Sequence, residues 1–382
     1  VHESPVRLYG LDGRERLRRV LRRLGVDVLP AGAPVPTDEP VLVVRADHLY
    51  DERLLAGLAA RPGAVLVDAH GQAVAAHLPA HLPDTQAQAV DAVTHGRVPE
   101  GLDGLPAAAL ADAVQERLRK RAAPYLLPVT EADRVALENR LYGGAYKGVT
   151  DLVTKFVWPR PAQAAVRACA RAGISPNQVT LLSLVLTVFA GLAFLRGAWL
   201  PGLLAGWAMT FLDTVDGKLA RVTVTSTRFG DVLDHGLDLL HPPFWYAAWG
   251  AGLAHYGAPG TVEALVWVIV AGYVGGRLAE GGFQLWCARF SLFVWQRFDS
   301  LNRLITARRN PCLLILTPAA LLGVPDWGLF GVGVWTVVST AVLWGRVAQA
   351  TLARRRGPLR SWLEQVQPGA GPRALAVRLF AG

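Results

Sequence analysis

Apolar and polar positions alternate on two different scales along this chain. As far as residue 128 the apolar residues come in short bursts and helical stripes. PVRLYG (5–10), PVLVVRAD (40–47) and GAVLVDAHG (63–71) read as short strands bounded by Gly or Pro. In GRERLRRVLRRLG, Leu17, Val20, Leu21 and Leu24 fall on one helical stripe, and Gly25 stands just past the end. PAAALADAVQERLRKRAAP (106–124) is expected to form a further helix, closed before Pro124. Strand, helix and strand in that order predict a small α/β domain over 1–128 with a parallel sheet.

Residues 129–175 read as a linker with amphipathic helices. YKGVTDLVTKFVWPRPAQAAVRACARAG mixes Arg and Lys with Phe156, Val157 and Trp158, a composition suited to helices lying at a membrane interface. Pro159 and Pro161 should break or kink it.

Beyond residue 175 the apolar residues run at lengths near the roughly 20 residues that a spanning helix needs. The runs lie near 178–196, 200–220, 228–252, 261–286, 311–324 and 329–345; the fifth is short and is expected to recruit residues before Pro311. Positive charge then sets orientation. Lys218, Arg221 and Arg228 lie between runs two and three, Arg289, Arg297, Arg303, Arg308 and Arg309 between four and five, and Arg354 to Arg356 after run six. The alternate connections AHYGAPG and GVPDWG hold no Lys or Arg, and the first holds only Arg196. Six spans with both chain ends cytoplasmic satisfy the positive-inside rule throughout. The fold class is therefore expected to be an all-α six-helix transmembrane domain (176–355), preceded by a small soluble α/β domain and followed by a cytoplasmic tail (356–382). Its expected place is the cell inner (cytoplasmic) membrane.

Composition supports that division. The 382 residues are 52% hydrophobic with 12 Trp, more apolar than a usual soluble protein. Net charge is +9, nearly all of it from Arg, since Lys120, Lys147, Lys155 and Lys218 are the only lysines. No soluble basic stripe with interleaved aromatics appears, so nucleic acid is not an expected partner. Cys169, Cys287 and Cys312 are odd in number and lack metal-ligand spacing, which reads as three buried free thiols. The chain begins at Val1 and its only methionine is Met209, so the native start is expected upstream; no secretory signal is visible.

Against this apolar background FLDTVDGKLARVTVTSTRFGDVLDHGLDLL (211–240) stands out, carrying Asp213, Asp216, Asp231, Asp234 and Asp238. A carboxylate in hydrocarbon is costly and usually marks function. Asp213 and Asp216 share one helical face, and Asp234 and Asp238 share another, so consecutive helices can bring four carboxylates to one point. Four such charges stay ionised together only beside cations, and hard divalent ions with oxygen ligands are the natural choice. Two ions bridged by carboxylates form a known device for displacement at phosphorus. Gly217 and Gly230 leave room for close approach.

The string Asp213-x-x-Asp216-Gly217-x-x-Ala220-Arg221, eight residues, Gly230-x-x-x-Asp234-x-x-x-Asp238 resembles the CDP-alcohol phosphotransferase family, element for element. The resemblance covers roughly 140–355, including ISPNQVTLLSL at the start of the first span. It implies six transmembrane helices and a homodimer. It also implies transfer of a substituted phosphate from a CDP-alcohol, such as CDP-diacylglycerol or CDP-inositol, to an acceptor hydroxyl, with release of CMP. Under it Asp213 and Asp234 bridge two Mg²⁺ or Mn²⁺ ions, Asp216 binds one, and Asp238 binds the other and acts as general base. Gly217, Arg221 and the Thr227 region hold the CDP group, Ala220 and Gly230 make space for the nucleotide, and Asn177 is a weaker donor contact. Asp231 and His235 are not motif positions; for His235 a structural hydrogen bond is preferred to an acceptor contact.

RLYGLDGRERLRRVLRRLGVDVL (7–29) and VLVVRADHLYDERLLAGL (41–58) resemble parts of a sugar-phosphate nucleotidyltransferase fold, without its Gly-rich loop and Lys. A degenerate structural domain is the expected outcome, and Asp47 and His48 receive no catalytic role. The arginines of 289–309 fit a phosphorylated acceptor or lipid headgroups, although topology alone explains them. The alternative function is a transporter or metal-ion carrier using the acidic cluster as its pathway. That reading would favour repeats and interrupted helices in both halves, and only one acidic cluster is present.

Overall fold

The structure, a computed structural model, describes residues 4–30, 33–81, 85–226, 228–254, 259–366 and 375–380; the side chains of 228, 229, 231–235, 237, 259 and 378 lie outside that description. The chain divides into two compact units. The first comprises Val1–Gln115, Ala122–Tyr146 and Arg221–Thr225, the second Glu116–Arg121, Lys147–Ala220 and Ser226–Gly382.

In the first unit α1 (Gly13–Arg23) forms where the apolar stripe lies. The Asp12 side chain accepts from the Glu15 amide at 2.7 Å, Arg22 and Arg23 occupy the last turn, and Gly25 takes φ +77° beyond it. There follow β1 (Val41–Val44), β2 (His48–Tyr50), α2 (Glu52–Ala59), β3 (Ala64–Val67), β4 (Ala73–Leu78), α3 (Gln86–Thr94) and β5 (Asp103–Leu105). The main sheet runs β1-β4-β3-β5, with β4 antiparallel to β1 and β3, and only β5 parallel to β3. It is therefore mixed, not the parallel sheet expected.

The cause lies in the turn after β3. The Asp68 carboxylate accepts from the amides of His70 and Gln72 at 2.8 and 2.9 Å, Gly71 adopts φ +77°, and the chain reverses at once into β4. A connection this short can join only antiparallel strands. One sheet face packs Leu66 and Val74 with Leu17, Val20, Leu54 and Leu58 of α1 and α2. The other packs Val65 and Ala76 with Ala89 and Val93 of α3. Cover on both faces accounts for the unbroken apolar run of β3.

Two more expectations are corrected here. PVRLYG forms no strand; it contributes an isolated bridge between Leu8 and Leu11 around left-handed Tyr9 and Gly10. The helix expected over 106–124 stops after one turn, α4 (Ala107–Leu110), because Ala111 is extended. A Cβ at position 57 of α2 would collide with the Leu110 carbonyl oxygen, so Leu110 is docked by its backbone and the chain turns away. Short strands β6 (Val114–Gln115) and β8 (Leu126–Pro128) follow, β8 pairing antiparallel with β2, while β7 (Lys120–Arg121) is counted with the second unit. Helix α5 (Arg134–Ala145) completes the unit.

The second unit is helical. A π-helical turn at Val153–Val157 leads into α6 (Pro159–Arg171), which starts at the proline expected to interrupt the segment. Each of the six apolar runs is largely helical, the first, fourth and fifth running past the ends of their α-helices. These are α7 (Pro176–Leu195), α8 (Trp199–Val222), α9 (Arg228–Ala254) and α10 (Pro259–Gly282), then, after α11 (Arg297–Ile305), α12 (Arg309–Leu321) and α13 (Pro325–Arg354); α14 (Leu375–Phe380) comes last. Of GVPDWG only Gly323 and Val324 belong to the connection expected between the last two runs. Pro325 opens α13 and Asp326 stands in its first turn, each suited to a helix N-terminus.

Three helices among the described residues are long and apolar enough to cross a membrane: Pro176–Leu195, Gly260–Cys287 and Pro325–Arg354. They mark a membrane protein. Helix α12, at 13 residues, is short for a span. Of the thiols, Cys287 and Cys312 are buried as expected, whereas Cys169 is half-buried. Aromatic rings fix α9 against α7. Phe194 lies 5.8 Å from Trp245 and 4.9 Å from Trp249 between ring centroids, and Trp199 stacks 4.5 Å from Trp249.

Candidate active site

The sequence-predicted residues divide by element. Asn177 is exposed on the first turn of α7. That turn is set by Pro176 at the first helical position and by a capping box between Ser175 and Gln178. Asp213, Asp216, Gly217, Ala220 and Arg221 lie on α8; Gly230, Asp234 and Asp238 lie on α9. Thr227 and the Asp234 side chain, with Asp231 and His235, fall outside the described residues.

Asp213 and Asp238 are brought together, and a residue not foreseen in the site joins them. Arg309, at the start of α12, donates from Nη2 to Asp213 Oδ2 and from Nη1 to Asp238 Oδ1, each at 2.6 Å. The side chains of Arg309 and Asp213 are 14% and 19% exposed, while Asp238 is open at 41%. Arg309 Nη1 also meets Met209 Sδ at 3.6 Å. Asp216, one turn beyond Asp213, is buried and turns toward α7. Its Oδ2 accepts from Thr180 Oγ1 and its Oδ1 from the Gly217 amide, both at 2.6 Å. Thr180 stands three residues after Asn177, on the same helical face.

The backbone at Asp238 has a local cause of its own. Pro242 and Pro243 lie inside α9 and have no N–H, so neither can donate to the carbonyl four residues back, that of Asp238 or Leu239. The Tyr273 hydroxyl of α10 approaches those two oxygens at 3.3 and 3.0 Å. Arg277 in turn donates to the Tyr273 oxygen at 3.3 and 3.1 Å.

Arg221, counted with the first unit, donates from Nε to the Ala145 carbonyl at 2.9 Å. The arginines of 289–309 do not form one rim. Arg289 and Arg297 are exposed, Arg308 pairs with Glu280, and Arg309 enters the acidic site. The guanidinium carbons of Arg119, Arg303 and Arg308 lie 5.9, 5.4 and 5.5 Å from the centre of the Phe293 ring. Burial, reinforced by the Arg308 charge, pushes Arg303 down to about 9. Its Nε and Nη1 find no hydrogen-bond acceptor among the described residues.

Whether the residues fit a divalent ion can be judged from Arg309. A cationic group already sits between carboxylates drawn from two different helices, and carboxylate oxygens are the ligands that Mg²⁺ and Mn²⁺ take. The position suits a cation. Among the described residues no group of three or more potential ligands is assembled, and Asp234 is not among them.

Three residues of this site escaped the sequence reading. Arg309 looked like a topology charge at the edge of an apolar run. Thr180 had one signal, its spacing from Asn177, and Tyr273 had the complementary one of two prolines just after Asp238.

Residues 173–292 match the CDP-alcohol phosphatidyltransferase family. A phosphatidylinositol phosphate synthase of Mycobacteroides abscessus is 32% identical over 124 residues, 31% of this chain and 56% of that protein. An archaetidylinositol phosphate synthase of Pyrococcus horikoshii is 35% identical over 82 residues, 21% of this chain and 43% of that protein. A phosphatidylinositol phosphate synthase of Mycobacterium marinum is 29% identical over 139 residues, 35% and 59% of the two chains. The crystal structure of a Mycobacterium tuberculosis phosphatidylinositol phosphate synthase with CDP-DAG bound is 20% identical, at a TM-score of 0.35, covering 49% of this chain and 94% of that one. The chain spans 43 to 59% of the length of these curated relatives. The matched stretch contains the whole aspartate string, Asp213 to Asp238.

Proposed function

We propose that this chain is a metal-dependent membrane CDP-alcohol phosphotransferase that uses a CDP-linked lipid donor and a phosphorylated polyol acceptor. The observation that carries the reading is the meeting of Asp213 and Asp238, 25 positions apart on α8 and α9, around one cationic group. The family match over 173–292 supports transfer over transport.

Asp213 and Asp234 would hold two Mg²⁺ or Mn²⁺ ions in common, with Asp216 on one and Asp238 on the other. Bound there, the ions supply positive charge to the donor diphosphate. The acceptor hydroxyl oxygen attacks the β-phosphorus, the bond to the bridging oxygen breaks, and CMP leaves. The hydroxyl proton passes to Asp238, which is more open than Asp213 or Asp216. Thr180 fixes the orientation of Asp216. Arg221 neutralises diphosphate charge, Gly217, Ala220, Thr227 and Gly230 line the nucleotide, and Asn177 contacts the donor from α7.

Two considerations favour a phosphorylated acceptor. The relatives named above are phosphatidylinositol phosphate and archaetidylinositol phosphate synthases, and Arg303 is a half-buried cation whose Nε and Nη1 lack acceptors among the described residues. The membrane part is read as six spans with both chain ends cytoplasmic, at the inner membrane, assembling as a homodimer. The α/β unit is read as a degenerate nucleotidyltransferase. The test is CMP release from CDP-diacylglycerol and CDP-inositol, with inositol and inositol phosphate as acceptors, with and without Mg²⁺. No CMP from any pair would refute the reading.

A further inference from the structure

The neighbouring arginines Arg308 and Arg309 point to different partners. Arg308 is committed to Glu280 on α10, while Arg309 spreads its two terminal nitrogens over one carboxylate from α8 and one from α9. We propose that Arg309 is the built-in counter-ion of the acidic cluster: it holds Asp213 and Asp238 as a pair before divalent ions bind, and those ions must displace it from the carboxylate oxygens. The proposal rests on the reading of these acids as metal ligands.

Three features carry it. Asp213 and Asp238 are like charges on mostly apolar helices, and such a pair resists close approach unless a cation intervenes. The planar guanidinium reaches both with separate N–H groups, a fork that a single ammonium cannot reproduce. Mg²⁺ takes carboxylate oxygens at about 2.0–2.1 Å, so an ion placed on Asp213 Oδ2 or Asp238 Oδ1 competes there with a guanidinium nitrogen at 2.6 Å.

The exchange needs only a side-chain swing. Helix α12 itself is anchored by Cys312, Leu313 and Leu316, which pack into the core beside Trp245 and Trp249. Arg309 also lies beyond the residues 173–292 matched to the family, so this chain supplies the cation from a helix downstream of its aspartate string.

The experiment uses the full chain in detergent, without CDP donor, and reads Mn²⁺ binding by the spin resonance of free Mn²⁺ together with thermal unfolding in EDTA. Arg309→Gln removes the competing cation and should tighten Mn²⁺ binding about tenfold, the scale of one hydrogen bond to a charged group. The same substitution should lower thermal stability in EDTA, and saturating Mn²⁺ should narrow the gap from the wild type. Arg309→Lys, which keeps the charge but loses the fork, should bind Mn²⁺ with intermediate affinity. Mn²⁺ binding by folded Arg309→Gln that is no tighter than wild type overturns the proposal. If that variant does not fold, Arg309→Lys decides, and wild-type or weaker Mn²⁺ affinity overturns it. A wild-type chain that binds no Mn²⁺ removes the metal reading and this proposal together, whereas unchanged affinity in the variants removes this proposal alone.

Discussion

Thr180 Oγ1 donates to Asp216 Oδ2 at 2.6 Å, tying the first turns of α7 to the buried acid of α8. Asp216 has few other ways to keep its orientation, since it is 3% exposed. Thr180→Val keeps the shape and deletes the donor. A hydrogen bond to a charged group contributes about 1.5–3 kcal/mol, so turnover should fall roughly tenfold or more while the chain stays folded. Thr180→Ser should restore most of it. CMP-release rates of the two variants, set beside their melting curves, decide the matter.

Metal dependence should be complete. Asp213→Asn and Asp234→Asn each remove an oxygen ligand proposed to serve both ions, and each should abolish CMP release. EDTA should do the same to the wild type, and added Mg²⁺ or Mn²⁺ should reverse it. Full turnover in excess EDTA would contradict the proposal.

Asp238 and Arg221 should fail in opposite ways. General-base help contributes about 10²–10⁴-fold, so Asp238→Asn should cut turnover at least a hundredfold and leave donor binding largely intact. Arg221→Ala should weaken donor binding instead. Calorimetry with the CDP donor, run beside CMP-release rates, separates the two patterns. Near-normal turnover in Asp238→Asn would mean that another group takes the proton.

How far the sequence alone could reach depends on how local each feature is. The ends of α1 were legible because Asp12 caps it and Gly25 follows it, both signals within a few residues. The helical character of the apolar stretches was legible for the same reason. Strand direction is not set by the apolar pattern, which is the same for parallel and antiparallel neighbours; it is encoded in the tight reversal at Asp68 and Gly71. The one-turn α4 is not legible locally, since its last carbonyl, that of Leu110, packs against Gly57 on another helix. Arg309 was hidden more deeply still. It meets partners 96 and 71 positions away, and an arginine beside an apolar run has the same appearance whether it sets topology or enters a site.

The α/β unit should show an acid-sensitive increment of stability at Asp47. Arg45 Nη2 donates to Asp47 Oδ2 at 2.6 Å, and His48 Nδ1 lies 2.7 Å from Oδ1. Burial pushes this carboxyl up, but the hydrogen bonds and charges of His48 and Arg45 outweigh it and hold it well below the usual range. A depressed value in the folded state means that the unfolded chain takes up the proton first as pH falls. The increment is therefore complete above the ordinary Asp value of about 3.9 and drains away below it. Asp47→Asn should lower thermal stability at pH 7, by about 1 kcal/mol given its partial exposure. The gap from wild type should shrink toward pH 3; an equal gap at both values would count against this account.

Orientation is open to a direct check. With six spans and cytoplasmic ends, position 256 belongs on the far side of the membrane. Tyr256→Cys in a chain lacking its native cysteines should react with an impermeant maleimide from that side only. Reaction from the cytoplasmic side alone would reverse the topology.

The proline pair of α9 bears on how the site could tolerate change. Neither Pro242 nor Pro243 supplies an amide, so at this point the continuity of the helix rests on covalent backbone and on one phenol borrowed from α10. In an apolar surrounding an unpaired carbonyl costs several kcal/mol, which makes Tyr273 a splint rather than an ornament. On one side of the splint lies the stretch bearing Asp234 and Asp238; on the other, Trp245 and Trp249 are locked among the rings of Phe194 and Trp199. The break in the ladder therefore falls between the acid-bearing half of α9 and the half moored by its rings.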